Sequence, residues 1–160
     1  MAANPDTSGP QTRLLLPFMA GLYSSLGGIV DALLRITLGA VLIPHGLQKV
    51  FGMIGGMGMA GNAALFDKLG YAPGWFWGGL VGCTELIGGA LLVLGLLTRP
   101  AAAAVAIFAF NSILFTSNMA GFFWSKGGSE YSILLFVCAL FVLVRGAGRY
   151  SLDRAIGREF

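Results

Sequence analysis

The chain has 160 residues, of which 56% are hydrophobic and only 11% charged, with a formal net charge of +3. A soluble domain carries roughly 25% charged residues, so this balance excludes an ordinary water-soluble globule and describes one integral membrane domain with short connections. The basic residues stand singly between apolar runs, which excludes a nucleic-acid-binding stripe and makes the lipid bilayer the partner they meet.

Arg13 and the leucines at 14–16 imitate the start of a signal peptide, but Pro17 interrupts them and no small-residue cleavage site follows. Residues 14–28 are apolar yet hold Pro17, Gly21, Ser24, Ser25, Gly27 and Gly28. They are expected to form an interfacial helix or lead-in. A further span there would put the two termini on opposite sides.

A transmembrane helix needs about 20 mainly apolar residues. The first such stretch runs from Ile29 to Phe51, with Asp31 and Arg35 at its start and Pro44 and His45 in its later half. A connection rich in glycine and methionine follows over residues 52–74, within which 62–69 suits a short amphipathic helix. Trp75 to Leu97 is the second stretch, interrupted only by Glu85, and Pro100 to Met119 is the third, without any charge. Ser129 to Val144 is a shorter fourth, headed by Glu130 and Tyr131. Residues 29–144 therefore read as an all-α bundle of four transmembrane helices, with 1–28 as lead-in and 145–160 as a basic tail. The arginines of that tail are expected to hold a short helix on the anionic leaflet.

Four crossings place Arg13, Arg35, Arg99, Arg145, Arg149, Arg154 and Arg158 on one side, and Lys49, Lys68 and Lys126 on the other. An excess of basic residues marks the cytoplasmic side, so both termini are expected there. Gly78, Gly82 and Gly89 suit close helix packing, within the chain or between copies.

Ionisable groups at bilayer depth are costly and mark function by default. At 1.5 Å per residue, Glu85 lies about 15 Å below the outer interface and His45 about 9 Å. Lys49 is one turn from His45 on the same face, and Gln48 shares that side. Asn111, Glu130 and Tyr131 fall in the same outer half. Together these residues would line a small cavity able to bind a lipid-soluble carbonyl compound such as a quinone and to handle protons. Each has a plainer alternative: Glu85 pairing with Lys49 or His45 would pin two helices, Lys49 would snorkel, and Glu130 would serve a helix start. Cys83 and Cys138 lack metal-type spacing, no metal ligand set is apparent, and no phosphate-loop, dinucleotide or haem motif marks an intrinsic cofactor.

The HGxxK turn (His45, Gly46, Lys49), the E-L-x-G-G run (Glu85 to Gly89) and the G-L-x-T-R turn (Gly95 to Arg99) stand in a fixed order. The E-Y pair (Glu130, Tyr131) and the G-R-Y-S-L-D tail (Gly148 to Asp153) complete it. With them the chain resembles the DoxX family of small four-helix bacterial membrane proteins. That resemblance covers roughly Leu33 to Ile156. It implies a multi-pass protein of the bacterial cytoplasmic (inner) membrane, linked to quinone or thiol redox chemistry and acting with other membrane subunits or as a homo-oligomer. A non-catalytic accessory or assembly subunit of a respiratory or photosynthetic complex is the alternative.

Overall fold

The computed structural model describes residues 15–159, and among them every regular element is helical. Three helical stretches are long and apolar enough to cross a membrane: Pro17–Phe51, Gly74–Leu94 and Thr98–Asn118.

Helix α1 is continuous over Ala20–Phe51, preceded by a tight turn at Pro17–Met19. It runs through residue 28 without a break. Proline at the first turn forfeits only an N–H that has no intrahelical partner. Ser24 and Ser25 bond back to the carbonyls of Gly21 and Leu22, both at 2.9 Å, so their hydroxyls are satisfied inside the helix. Pro44 is likewise accommodated within α1.

After a glycine-rich loop, α2 (Gly58–Lys68) lies against α3 (Gly74–Cys83). Its buried Asn62 donates to the carbonyl of Gly78 at 2.7 Å, and Asp67 accepts from the N–H of Gly74, also at 2.7 Å. The second span continues through a π turn at Thr84–Gly88 into α4 (Gly89–Leu94). A hairpin leads to α5 (Thr98–Ala120), and a loop leads to α6 (Glu130–Arg145), which packs along α5. At 16 residues α6 is shorter than the three membrane-length stretches.

The core is built from small and branched side chains. Ala101, Ala102, Val105, Ala106 and Ala109 of α5 meet Leu135, Ala139 and Val142 of α6 and Leu38, Leu42 and Leu92. Glycines bring α1 onto the second span. A Cβ on Gly46 would fall 2.5–2.7 Å from the backbone and Cβ of Leu86, and one on Gly39 would strike the carbonyl of Gly89. Gly82 faces Val50 and Lys49 of α1, Gly89 faces Gly39, Leu42 and Ile43, and Gly78 faces Asn62 of α2. All three are used in contacts within the chain.

The tail forms a short helix, α7 (Leu152–Ile156), which docks beneath the α4–α5 hairpin and leaves Arg154 exposed. Asp153, 1% exposed, accepts from the N–H groups of Leu97 (2.8 Å) and Thr98 (2.9 Å). Its own N–H donates to the carbonyl of Gly95 at 2.9 Å. Gly95 combines a positive φ of 66° with contact against Ser151 and Arg35, so only glycine fits. Arg35, 1% exposed, donates from α1 to the carbonyls of Leu92, Val93 and Tyr150. Unmatched helix-end groups supply the physical reason: the carbonyls closing α4 and the N–H groups opening α5 need partners, and Arg35 and Asp153 provide them.

Candidate functional site

Lys49 sits in the last turn of α1 and Glu85 in the π turn of the second span. The close approach at Gly46 and Gly82 lets these turns touch, which sets the two side chains side by side. Lys49 Nζ lies 2.6 Å from Glu85 Oε1 and bonds Oε2 as well. The carboxylate is 3% exposed and the lysine side chain 28%, so the pair spans from the packed interior to an accessible edge. A carboxylate at this depth requires such a partner.

His45 lies one turn below Lys49 on an exposed part of α1, and its ring is 6.0 Å from that of Tyr131 on α6. The Tyr131 hydroxyl is buried, with no hydrogen-bond partner among the described residues, and lies within electrostatic reach of Glu85. These four side chains form one cluster where α1, the π turn and α6 meet.

Beside that cluster is a cavity of about 590 Å³ bounded by α1, α2, α3 and α5. Its walls are mostly apolar, with five aromatic side chains: Phe66, Tyr71, Trp77, Phe108 and Phe115. Lys49 is the one charged side chain on them among the described residues, and Asn111 and Ser112 supply polar groups from α5. Lys49 also borders a smaller space of about 330 Å³ under the loop between α1 and α2, lined by Gln48, Asn62 and Met57. Glu85, His45 and Tyr131 stand behind the chamber wall and do not line it.

Two expected site residues serve the loops. Gln48 donates to the carbonyl of Ile54 at 3.1 Å, fixing the turn after α1. Glu130 accepts from the backbone N–H of Trp124 at 3.1 Å, closing the loop before α6. Asn111 bonds the carbonyl of Ile107, one turn back, at 2.8 Å. Arg35, Asn62 and Asp153 are buried polar residues that the sequence reading did not single out. For Asp153 the signal was the T-R turn together with the Y-S-L-D run, two polar motifs that fall at the same end of the bundle; Asn62 belongs to neither. Among the described residues, no group of three or more His, Cys, Asp or Glu side chains could hold a metal.

The sequence profile of DoxX matches residues 30–118, more than half of the chain. The chain belongs to the DoxX family. This DoxX protein is 29% identical over 136 residues to an uncharacterized membrane protein of Mycobacterium tuberculosis, covering 79% of this chain and 80% of that one. It is 29% identical to a Bacillus subtilis protein named "Putative oxidoreductase CatD", over 76% of this chain and 82% of CatD. An uncharacterized protein of Haemophilus influenzae is 31% identical over 76% of this chain and 87% of its own length. No solved structure matches the chain.

Proposed function

We propose that this DoxX protein is a multi-pass component of the bacterial cytoplasmic membrane, crossing it four times with both termini inside. In this reading it binds a lipid-soluble carbonyl compound of the quinone class in the aromatic chamber and serves redox chemistry together with partner proteins. The observation that carries the reading is an aromatic-walled cavity of about 590 Å³ whose one charged wall group, Lys49, is held by a buried carboxylate. A ring would pack between the aromatic walls. An ammonium has three N–H donors, so Lys49 can serve Glu85 and still donate to a ring carbonyl. Glu85 keeps that donor aimed at the chamber. The name of CatD agrees with a redox role.

The test is calorimetric titration of the protein in nanodiscs with a decyl-substituted 1,4-benzoquinone. Saturable binding is expected, and Lys49→Met should weaken it by about tenfold, the loss of one charge-assisted hydrogen bond. A titration with no saturable component beyond that of empty nanodiscs would reject the chamber as a ligand site.

The accessory-subunit reading is favoured by a separate observation. Below the Asp31–Arg145 ion pair (2.6 Å), α1 continues with Leu22, Tyr23, Leu26, Ile29 and Val30 all exposed. Such a surface suits a partner subunit. Gentle solubilisation of native membranes that yields the protein only as a free monomer would remove this support.

A further inference from the structure

We infer that the chamber opens sideways into the bilayer, between α3 and α5, and that its ligand is a ring compound with a long apolar tail that leaves through this gap. This rests on the chamber being a ligand site. It narrows the ligand to a molecule delivered by the lipid and fixes where the tail runs.

The gap follows from how the spans pack. Helix α5 packs on α6, on the π turn and on α4, whereas α3 packs on α1 and α2. The second span and α5 are therefore joined toward the hairpin and part toward α2, and the chamber fills the space where they part. Leu80 of α3 and Ala104 and Ile107 of α5 line the chamber and are exposed as well, Leu80 by 49% and Ile107 by 66%. All three belong to membrane-length stretches. At 1.5 Å per residue, Leu80 lies about 9 Å from the start of α3 and Ile107 about 14 Å from the start of α5, which sets both within a hydrocarbon layer about 30 Å thick. What they face there is lipid.

The end toward α2 is roofed. Phe66 of α2 meets Tyr71 edge-on with ring centroids 5.9 Å apart, and Tyr71 meets Trp77 of α3 in the same way at 6.2 Å. Leu65 and Leu69 extend this roof. Lys49 enters from α1 level with Gly82, where an added Cβ would lie 3.4 Å from that of Lys49. Leu80 is within one turn of Gly82, so the polar anchor and the gap share one depth. A ring bound at Lys49 lies beside the gap, and a tail attached to it has its shortest way out there. In lipid that tail keeps apolar neighbours, whereas past the roof its methylenes would meet water. Lipid chains are as apolar as leucine, so the tail adds little affinity and the ring supplies most of it.

The experiment uses a 1,4-benzoquinone whose ten-carbon tail carries a diazirine on the third carbon. The protein in nanodiscs is irradiated with this probe, with and without excess unlabelled decyl-1,4-benzoquinone, and the adducts are located by mass spectrometry. Adducts that the excess removes are expected on Leu80, Ala104 or Ile107. Competed adducts that avoid these three and fall on Leu65, Leu69 or Tyr71 would overturn the inference, because the tail would then leave past the roof, while the chamber would stand as a site. With no competed adduct anywhere, the chamber assignment itself falls, and this inference falls with it. A second measurement is calorimetric. Ala104→Phe places a ring in the gap and should weaken the decyl compound about tenfold, the scale of one overpacked contact, while leaving methyl-1,4-benzoquinone unchanged. An equal loss for both compounds, or a loss for neither, would overturn the route.

Discussion

Glu85 and Lys49 concentrate the electrostatics of the bundle in a single contact. Removing one partner of a buried ion pair costs about 3–5 kcal/mol because the other charge is left unpaired. Lys49 is 28% exposed, so Lys49→Met should fall at the lower end, about 3 kcal/mol. Pairing it with Glu85→Leu should restore most of the lost stability, as thermal unfolding in detergent would show. A double variant no better than the single one would mean that the pair does more than cancel its own burial. These two residues were legible in the sequence, since few ionisable groups fall inside apolar runs and helical rise alone gives their depth. Gln48 and Glu130 fall at similar depth and yet bond loop backbone, because their partners belong to segments without a periodic signal. Arg35 read as the charged start of a span. Its burial depends on where the tail folds, which no local pattern encodes.

Among the helices, α1 and the second span meet through glycine rather than through interlocking side chains. Gly46→Ala would drive a methyl group into the backbone of Leu86. Overpacking typically costs 1–3 kcal/mol, and a clash with backbone should reach about 3 kcal/mol. Gly21→Ala meets nothing within 4 Å and should stabilise α1 by up to about 1 kcal/mol through helix propensity. Melting temperatures of the two variants should therefore move in opposite directions.

The α7 contact gives a second test at this scale. Burial pushes the Asp153 carboxyl upward, but hydrogen bonds from Thr98 and Leu97 and the charge of Arg35 outweigh it and hold the group below its ordinary value. A depressed folded value means that this stabilisation is complete above the unfolded carboxylate range, near pH 4. It is lost as pH falls through the lower folded value. Asp153→Asn should cost about 2 kcal/mol at neutral pH, with the difference from wild type shrinking in acid. A cost that stays constant down to the acid limit would exclude the charged form as the stabilising species. The core of each span was legible from hydropathy. The true start of α1 and the docking of α7 were not, because back-bonded serines look like helix breakers and a five-residue helix carries almost no pattern.

For the whole molecule the open quantity is the number of crossings. Three helices meet the length requirement unaided, while α6 reaches only about 24 Å at 1.5 Å per residue. The hydrocarbon layer is about 30 Å thick, and aromatic and basic flanks make up such a deficit. Phe122, Phe123 and Trp124 precede α6, and Arg145 closes it. In a background lacking Cys83 and Cys138, Lys126→Cys should react with an impermeant maleimide on intact cells. Arg154→Cys should react only after permeabilisation. Labelling of both from outside would place the two ends of α6 on one face and rule out the fourth crossing. Three long apolar helices were readable from composition, whereas a short fourth helix sits at the margin of any length rule.

The clasp of Asp153 on the Leu97–Thr98 turn has a consequence for how the molecule is made. Ribosomes add roughly 5–20 residues per second, so the turn joining the second and third spans emerges some seconds before the carboxylate that completes it. Until then Arg35 and two amide hydrogens wait without their final partners. A chain stopped short of residue 152 would hold all its long helices and still lack the fastener at their base. Pulse-chase labelling should show such a chain inserted normally and then degraded faster than one that carries α7.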